Sequence, residues 1–361
     1  MNFASDNSCG VSEPILAALT AANKGALPAY GADPFTAKAG QLLKEIFEHD
    51  LAYFLVSTGT AANALALVTS APAYGAIFCH VMAHITTDEC GAPEMFTGGT
   101  KLIGIRGKAG KIAPADLRSS LAALPRGGVH HVQPAVLSLS QVTECGTVYG
   151  CDEIAELARL AHDAGLIVHM DGARFANALV SLGCTPAEMS WKAGVDVLSF
   201  GATKNGALAC EAIIIFDPAK ALSLPYWRKR SGHTLSKGRY LGAQMAAYLD
   251  HGHWLALAKQ ANGWAGELAA GLAKISGIRM PWPCQANEVF AVLPGPVDRA
   301  LRACGAVYYS WPFPQEDPGV AAPGEDEVFV RLVASFATIE SEVMDFLAVA
   351  REAAARGPQI L

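Results

Sequence analysis

Charge is scarce in this chain: Asp, Glu, Lys and Arg make up 17% of its 361 residues, and the formal net charge is -6. A chain this poor in positive charge offers little to a phosphate backbone or an anionic bilayer, so neither a nucleic-acid nor a membrane partner is expected. The basic run 226–239, YWRKRSGHTLSKGR, is the local exception and reads as a solvated positive face. Paired cysteines are missing too. The nine are odd in number and scattered, with no CxxC spacing, which speaks against a disulfide framework or a zinc site and for a reducing, cytoplasmic setting. The histidine pairs His130/His131 and His251/His253 have no third ligand nearby in sequence, so no metal is expected. No apolar run reaches membrane-spanning length; the Ala-rich stretch 254–273 is broken by Lys259 and Glu267, and the opening MNFASDNSCGV has neither a basic start nor an apolar signal core. A phosphate-binding P-loop is lacking as well. In GKAGK, Ile112 stands where Ser or Thr is required and Ile105 where the first glycine belongs, so this stretch reads as a surface turn.

What is present is apolar: 52% of the residues are hydrophobic, enough for a large core and for surface buried in an oligomer. The length suggests two domains. Apolar, β-rich runs at 76–81, 135–139, 166–170, 196–200 and 212–216 alternate with helical patterns, the clearest at 152–164. There Asp152 and Glu153 occupy the first turn, Ile154, Leu157, Ala158 and Ala161 form a buried stripe, and Gly165 supplies the stop. This alternation predicts an α/β fold, a mainly parallel sheet between helices, with ligands gathered at the carboxyl ends of the strands. Beyond residue 250 come a long helix, two Pro-rich stretches at 280–285 and 309–323, and short strands at 288–293 and 328–333. We expect a large domain over 1–250, including the N-terminal segment, and a smaller α+β domain over 251–361.

Two strand ends carry chemistry. Lys204 follows one apolar run in SFGATKNG, and Asp171 ends another in HMDGAR. Burial disfavours an ammonium, which is how a Schiff-base nucleophile is made. An amine and a carboxylate on neighbouring parallel strands suit pyridoxal 5'-phosphate (PLP), whose aldehyde takes the lysine while its ring nitrogen is held protonated by the aspartate. The segment STGTAAN, 57–63, places Thr58, Gly59 and Thr60 at a helix N-terminus, where free amides, the helix dipole and two hydroxyls favour a phosphate.

Four motifs in this order, STGTAAN, AHITTDECGAPE, HMDGARFANAL and FGATKNG, resemble the PLP-dependent L-threonine aldolases of the aspartate-aminotransferase fold (fold type I), and the likeness runs from FASDN near the start to VRLVASFAT near the end. The resemblance implies a low-specificity enzyme that cleaves L-threonine, L-allo-threonine and related β-hydroxy-α-amino acids to glycine and an aldehyde, in a homo-oligomer built as a dimer of dimers. L-Phenylserine aldolase, a β-eliminating lyase and a catalytically silent PLP-fold binding protein are the alternatives.

Carried over residue by residue, the resemblance makes Lys204 the PLP-bearing lysine, Asp171 the partner of the ring nitrogen and His84 the side chain over the ring face, with a further part in proton removal. Arg331 and Arg174 are each suited to grip a carboxylate bidentately. Arg331 is assigned the main substrate contact, with Arg174, also close to the cofactor, and Ser5 in support. Lys229, for the cofactor phosphate, and Tyr30 correspond to elements lent to a neighbouring subunit's site; the Gly-Gly-Gly-Met-Arg stretch of relatives reads GHTLS here, so its phosphate-binding arginine is missing and Lys237 stands as the substitute. A second departure is QVTE at 141–144, where relatives carry Asn-Thr-His, so Thr143 or Glu144 replaces an active-site histidine.

Overall fold

The computed structural model describes residues 1–313, 317 and 320–356, so the second Pro-rich stretch lies partly outside the described residues. Seven strands form one sheet: β1 (Ala52–Val56), β2 (Gly75–His80), β3 (Lys101–Ile105), β4 (Gln133–Ser140), β5 (Ile167–Gly172), β6 (Val197–Gly201) and β7 (Glu211–Ile215), in the order β1-β7-β6-β5-β4-β2-β3. Neighbours from β3 across to β6 pair in parallel, whereas β7 is antiparallel to both β6 and β1. Strands β2, β6 and β7 are buried along their whole length, because helices cover both faces of the sheet.

The helix foreseen at 152–164 is Cys151–Asp163. Its first turn is closed by Glu153, whose Oε2 accepts the Gly150 amide at 2.7 Å, and its buried residues are Ile154, Leu157, Ala158 and Ala161. Gly165, at φ +70, then turns the chain into β5. Among the described residues no helix is long and apolar enough to cross a membrane.

A three-stranded antiparallel sheet, β8 (Glu288–Pro294), β9 (Tyr309–Ser310) and β10 (Glu327–Val333) in the order β8-β10-β9, builds a second core with the helices Gly295–Ala303 and Glu340–Arg356. Phe3 belongs to that core. Its ring meets Phe346 edge-on at 5.3 Å, its amide donates to the Val307 carbonyl, and its carbonyl accepts the Val333 amide. This pinning fixes the next few residues against the large sheet and sets Asp6 beside Arg174 and Asn287.

Close backbone contact brings the ends of β5 and β6 together. A Cβ on Gly201 would stand 2.4 Å from the Ala173 carbonyl oxygen, so only glycine lets the segment after β6 lie against the segment after β5. Lys204 and Asp171 consequently face one cavity.

Candidate active site

The cavity lies at the carboxyl ends of β1, β4, β5 and β6 and has a volume of about 280 Å³. Thr58, Gly59, Thr60, His84, Glu144, Asp171, Arg174 and Lys204 all line it, as do Asn63, Glu89 and Glu211. Most come from the strand ends or the segments that follow them, which is where an α/β sheet exposes polar side chains without disturbing its core, while Asn63 lies in the helix Gly59–Ser70 and Glu211 begins β7.

Asp171 ends β5 with both oxygens held. Oδ1 accepts the Ala173 amide at 3.1 Å and Oδ2 accepts Asn63 Nδ2 at 2.9 Å. Asn63 Nδ2 also reaches Glu89 Oε1 at 2.8 Å, and Glu89 Oε1 lies 3.0 Å from His84 Nδ1, so a buried polar chain links the aspartate to the imidazole. The bond to Glu89 raises the His84 pKa above the ordinary imidazole value against the opposing effect of burial, with Asp171 and Glu144 adding to it. Under the sheet, His169 sits between Ser138 Oγ (2.9 Å from Nδ1) and Ser199 Oγ (3.0 Å from Nε2), and burial pushes it down to about 4. It is therefore a neutral ring at physiological pH, packed beneath the aspartate.

The helix Gly59–Ser70 begins at the cavity wall. Its N-cap Thr58 accepts the Ala61 amide at 3.2 Å through Oγ1, while the amides of Gly59 and Thr60 donate to nothing among the described residues, and no atom lies within 4 Å of the place a Cβ on Gly59 would take. Lys204, half-buried, forms no hydrogen bond or ion pair among the described residues. Glu211 starts β7 between Val56 and Gly201, accepts the Ala202 amide at 2.7 Å, and is pushed up to about 7 by burial.

Of the two arginines Arg174 lines the cavity and Arg331 does not, and they differ in how fully they are committed. Arg174 is bound bidentately by Asp6, Nε to Oδ2 at 2.7 Å and Nη2 to Oδ1 at 3.1 Å, and Nη2 also lies 3.2 Å from Glu288 Oε1. Burial opposes charge on Asp6, yet Arg174, Lys204 and the bond from Asn287 hold its carboxyl below the ordinary value. Arg331 has only a loose contact to Glu288 at 3.8 Å, stacks its guanidinium on Trp311 at 3.8 Å, and leaves Nε buried without a partner. Burial lowers its pKa.

The sequence profile of the beta-eliminating lyase family matches residues 2–294. A low specificity L-threonine aldolase of Pseudomonas aeruginosa is 44% identical over 309 residues, which covers 86% of this chain and 89% of that one. The chain belongs to the beta-eliminating lyase family, among its threonine aldolases. A solved threonine aldolase of Leishmania major superposes on this family member with a TM-score of 0.90 at 29% identity, over 98% of this chain and 99% of that one. A Sphingomonas wittichii serine palmitoyltransferase, 14% identical over 99% of this chain and 87% of that one, shares the fold alone at a TM-score of 0.70.

Several residues expected at the site of this lyase lie elsewhere. Thr143 is buried in its own turn, bonded to Thr147 Oγ1 at 2.7 Å and to the Ala109 carbonyl at 3.3 Å, and does not line the cavity. Of the two residues offered in place of the histidine, only Glu144 reaches it. Ser5 accepts the Asn7 amide and lines a separate cleft with Cys9 and Ser335, so the N-terminal contact to the cavity comes from Asn7 instead. Tyr30 and Lys229 stack on each other at 5.2 Å on the outside of the chain, and exposed Lys237 follows Ser236, whose carbonyl accepts the Tyr30 amide; none of the three lines this chain's own cavity, and their expected place is a neighbouring subunit's. The GKAGK turn is more than surface, since Gly110 is buried against Thr143 and the Ala109 amide donates to Asp317. Asn63 and Glu89 fall inside two of the motifs and Asp6 in FASDN; a lone amide among the alanines of a buried helix, as Asn63 is in Gly59–Ser70, is the available signal.

Proposed function

We propose that this protein is a PLP-dependent aldehyde-lyase that cleaves L-threonine, L-allo-threonine and related β-hydroxy-α-amino acids to glycine and an aldehyde. The observation that carries this reading is one cavity holding a free amine (Lys204), a carboxylate fixed at both oxygens (Asp171) and a helix N-terminus with two unpaired amides (Gly59, Thr60). That donor set fits PLP: an aldehyde, a ring nitrogen and a phosphate each meet the chemistry they require. When bound there, PLP supplies an electron-accepting ring joined to the substrate nitrogen, which lets the Cα–Cβ bond break.

The residues divide the remaining work. Lys204 would hold the cofactor's aldehyde carbon through its amine. Asp171, aligned by Asn63 and the Ala173 amide, keeps a proton at the ring nitrogen. Gly59, Thr60 and the Thr58 hydroxyl hold phosphate oxygens, and His84, oriented by Glu89 through Nδ1, covers the cavity wall. Arg331 takes the α-carboxylate, because its guanidinium has only the loose contact to Glu288 at 3.8 Å, whereas Arg174 has Nε and Nη2 committed to Asp6 and Glu288 and anchors the N-terminal segment. The exposed Tyr30–Lys229 pair and Lys237 serve a neighbouring subunit's phosphate, in a cytoplasmic homo-oligomer arranged as a dimer of dimers. Exposed Leu222 and Tyr226 beside that segment support an interface there. We place the division between the two domains near residue 250.

The test is the product balance on L-threonine. Equal amounts of glycine and acetaldehyde support the reading, whereas ammonia and a keto acid assign β-elimination and no turnover leaves a silent binding protein. Phenylserine as the far better substrate assigns the aryl-specific variant.

A further inference from the structure

Retro-aldol cleavage needs a group that takes the proton from the β-oxygen, and three cavity side chains are chemically suited to it: His84, Glu144 and Glu211, the last already bonded to the Ala202 amide and to Thr203 beside the lysine. Geometry separates them. His84 Nδ1 is engaged by Glu89 at 3.0 Å, a bond that favours the imidazolium, and an imidazolium has no lone pair to accept with. Glu144 is held by one oxygen only. Its Oε1 accepts the His84 backbone amide at 3.1 Å, while Oε2 makes no hydrogen bond among the described residues and is not sealed from the cavity that Glu144 lines.

Resting on the aldolase reading above, we propose that Glu144 is the catalytic base, its Oε2 taking the β-hydroxyl proton while the His84 amide fixes the other oxygen. The O–H bond breaks toward Glu144, the C–O single bond becomes the aldehyde carbonyl, and the Cα–Cβ pair stays with the glycine fragment. Cα then takes one proton to give glycine, and Glu144 gives its own proton up, directly or through water, before the next turnover. The cycle is balanced in protons and electrons.

The surroundings suit that task. Facing Glu144 are His84, Asp171 at the end of β5, Lys204 after β6, Arg174 after β5, Glu288 on β8, Arg331 on β10 and Cys145 in its own turn. Burial pushes the Glu144 carboxyl up to about 7, with Asp171 and Glu288 adding to the rise and His84 and Lys204 opposing it. A carboxyl in that range both accepts and releases a proton at neutral pH. Because the base form is the carboxylate, kcat/KM should rise with pH through about 7.

The experiment compares holoenzyme, E144Q, E144D and H84N on L-threonine across the pH profile, with glycine binding read from the cofactor's visible band. We expect E144Q to lower kcat by about a hundredfold or more and to lose the acid limb. Glycine, which has no β-hydroxyl, should bind E144Q within about threefold of wild type. An infrared carboxyl band that grows in the wild type as pH falls through the same range should be missing from E144Q. If E144Q fails to bind glycine, E144D carries the test, and it should keep the acid limb while losing at least about tenfold in rate. A threefold or smaller loss in E144Q, an unchanged rate in E144D, or an acid limb that survives E144Q and vanishes in H84N each overturns the proposal. Wild-type protein that releases no glycine from L-threonine overturns the aldolase reading itself, which keeps the two failures distinct.

Discussion

Replacing Asp6 by Asn removes one charge from a buried cluster whose geometry allows the cost to be worked out. Asp6 is 2% exposed and accepts three hydrogen bonds, two from Arg174 and one from Asn287. Breaking one side of a buried ion pair costs about 3–5 kcal/mol, because the remaining charge stays desolvated. Here Arg174 keeps Glu288 at 3.2 Å, so the cost should fall at or just below the lower end of that range, about 2–3 kcal/mol at neutral pH. Urea unfolding of wild type and D6N measures it, as the midpoint shift multiplied by the slope. The pH dependence supplies a second, independent sign. The folded-state pKa of Asp6 is depressed below 3.8, so its contribution is fully present above that value and is lost as pH falls through the lower folded-state value. The gap between wild type and D6N should therefore close on acidification. Equal stability at neutral pH, or a gap that widens in acid, would refute the reasoning.

Arg331→Lys should raise KM for L-threonine and lower kcat, by about tenfold or more in kcat/KM, since an ammonium loses the planar fork that pairs two donors with a carboxylate; steady-state kinetics decide it, and an unchanged KM moves the carboxylate to Arg174. Gly201→Ala should unfold the site locally, because the added methyl would stand 2.4 Å from the Ala173 carbonyl, and loss of cofactor binding with most of the helical circular dichroism retained is the expected result. Mixing separately inactive Lys204→Ala and Lys229→Ala subunits should restore part of the activity if Lys229 serves a neighbour, and no recovery on mixing removes that assignment. With Glu144 in place of a directional imidazole, kcat/KM for L-threonine and L-allo-threonine should differ by less than about a hundredfold.

Much of this fold is legible because buried strands and amphipathic helices leave simple patterns. The run 212–216 showed a strand but not its direction. Only nine residues separate Gly201 from Glu211, too few for a parallel crossover of about a dozen or more, and that spacing was the overlooked sign of an antiparallel β7. Lys204 and Asp171 were readable because each ends an apolar run and is costly to place there without a task. Thr143 and Glu144 were not separable, since which of two adjacent side chains enters a cavity depends on the turn, here closed by the Thr143–Thr147 bond. Asp6 and Glu89 stayed hidden for a related reason. Their partners lie far along the chain, at Arg174 and in part at Asn63, and sequence proximity does not reveal a contact made through packing of the N-terminal segment on the second core.

The central claim is that Lys204, facing Asp171 across one cavity, carries the cofactor. Borohydride reduction of the purified holoenzyme, followed by peptide mapping of any fixed chromophore, tests it most directly. The prediction is bleaching of the visible band with the label on Lys204 alone, and bleaching lost in Lys204→Ala. A label on another lysine, or a band in Lys204→Ala that matches the wild type, would contradict it.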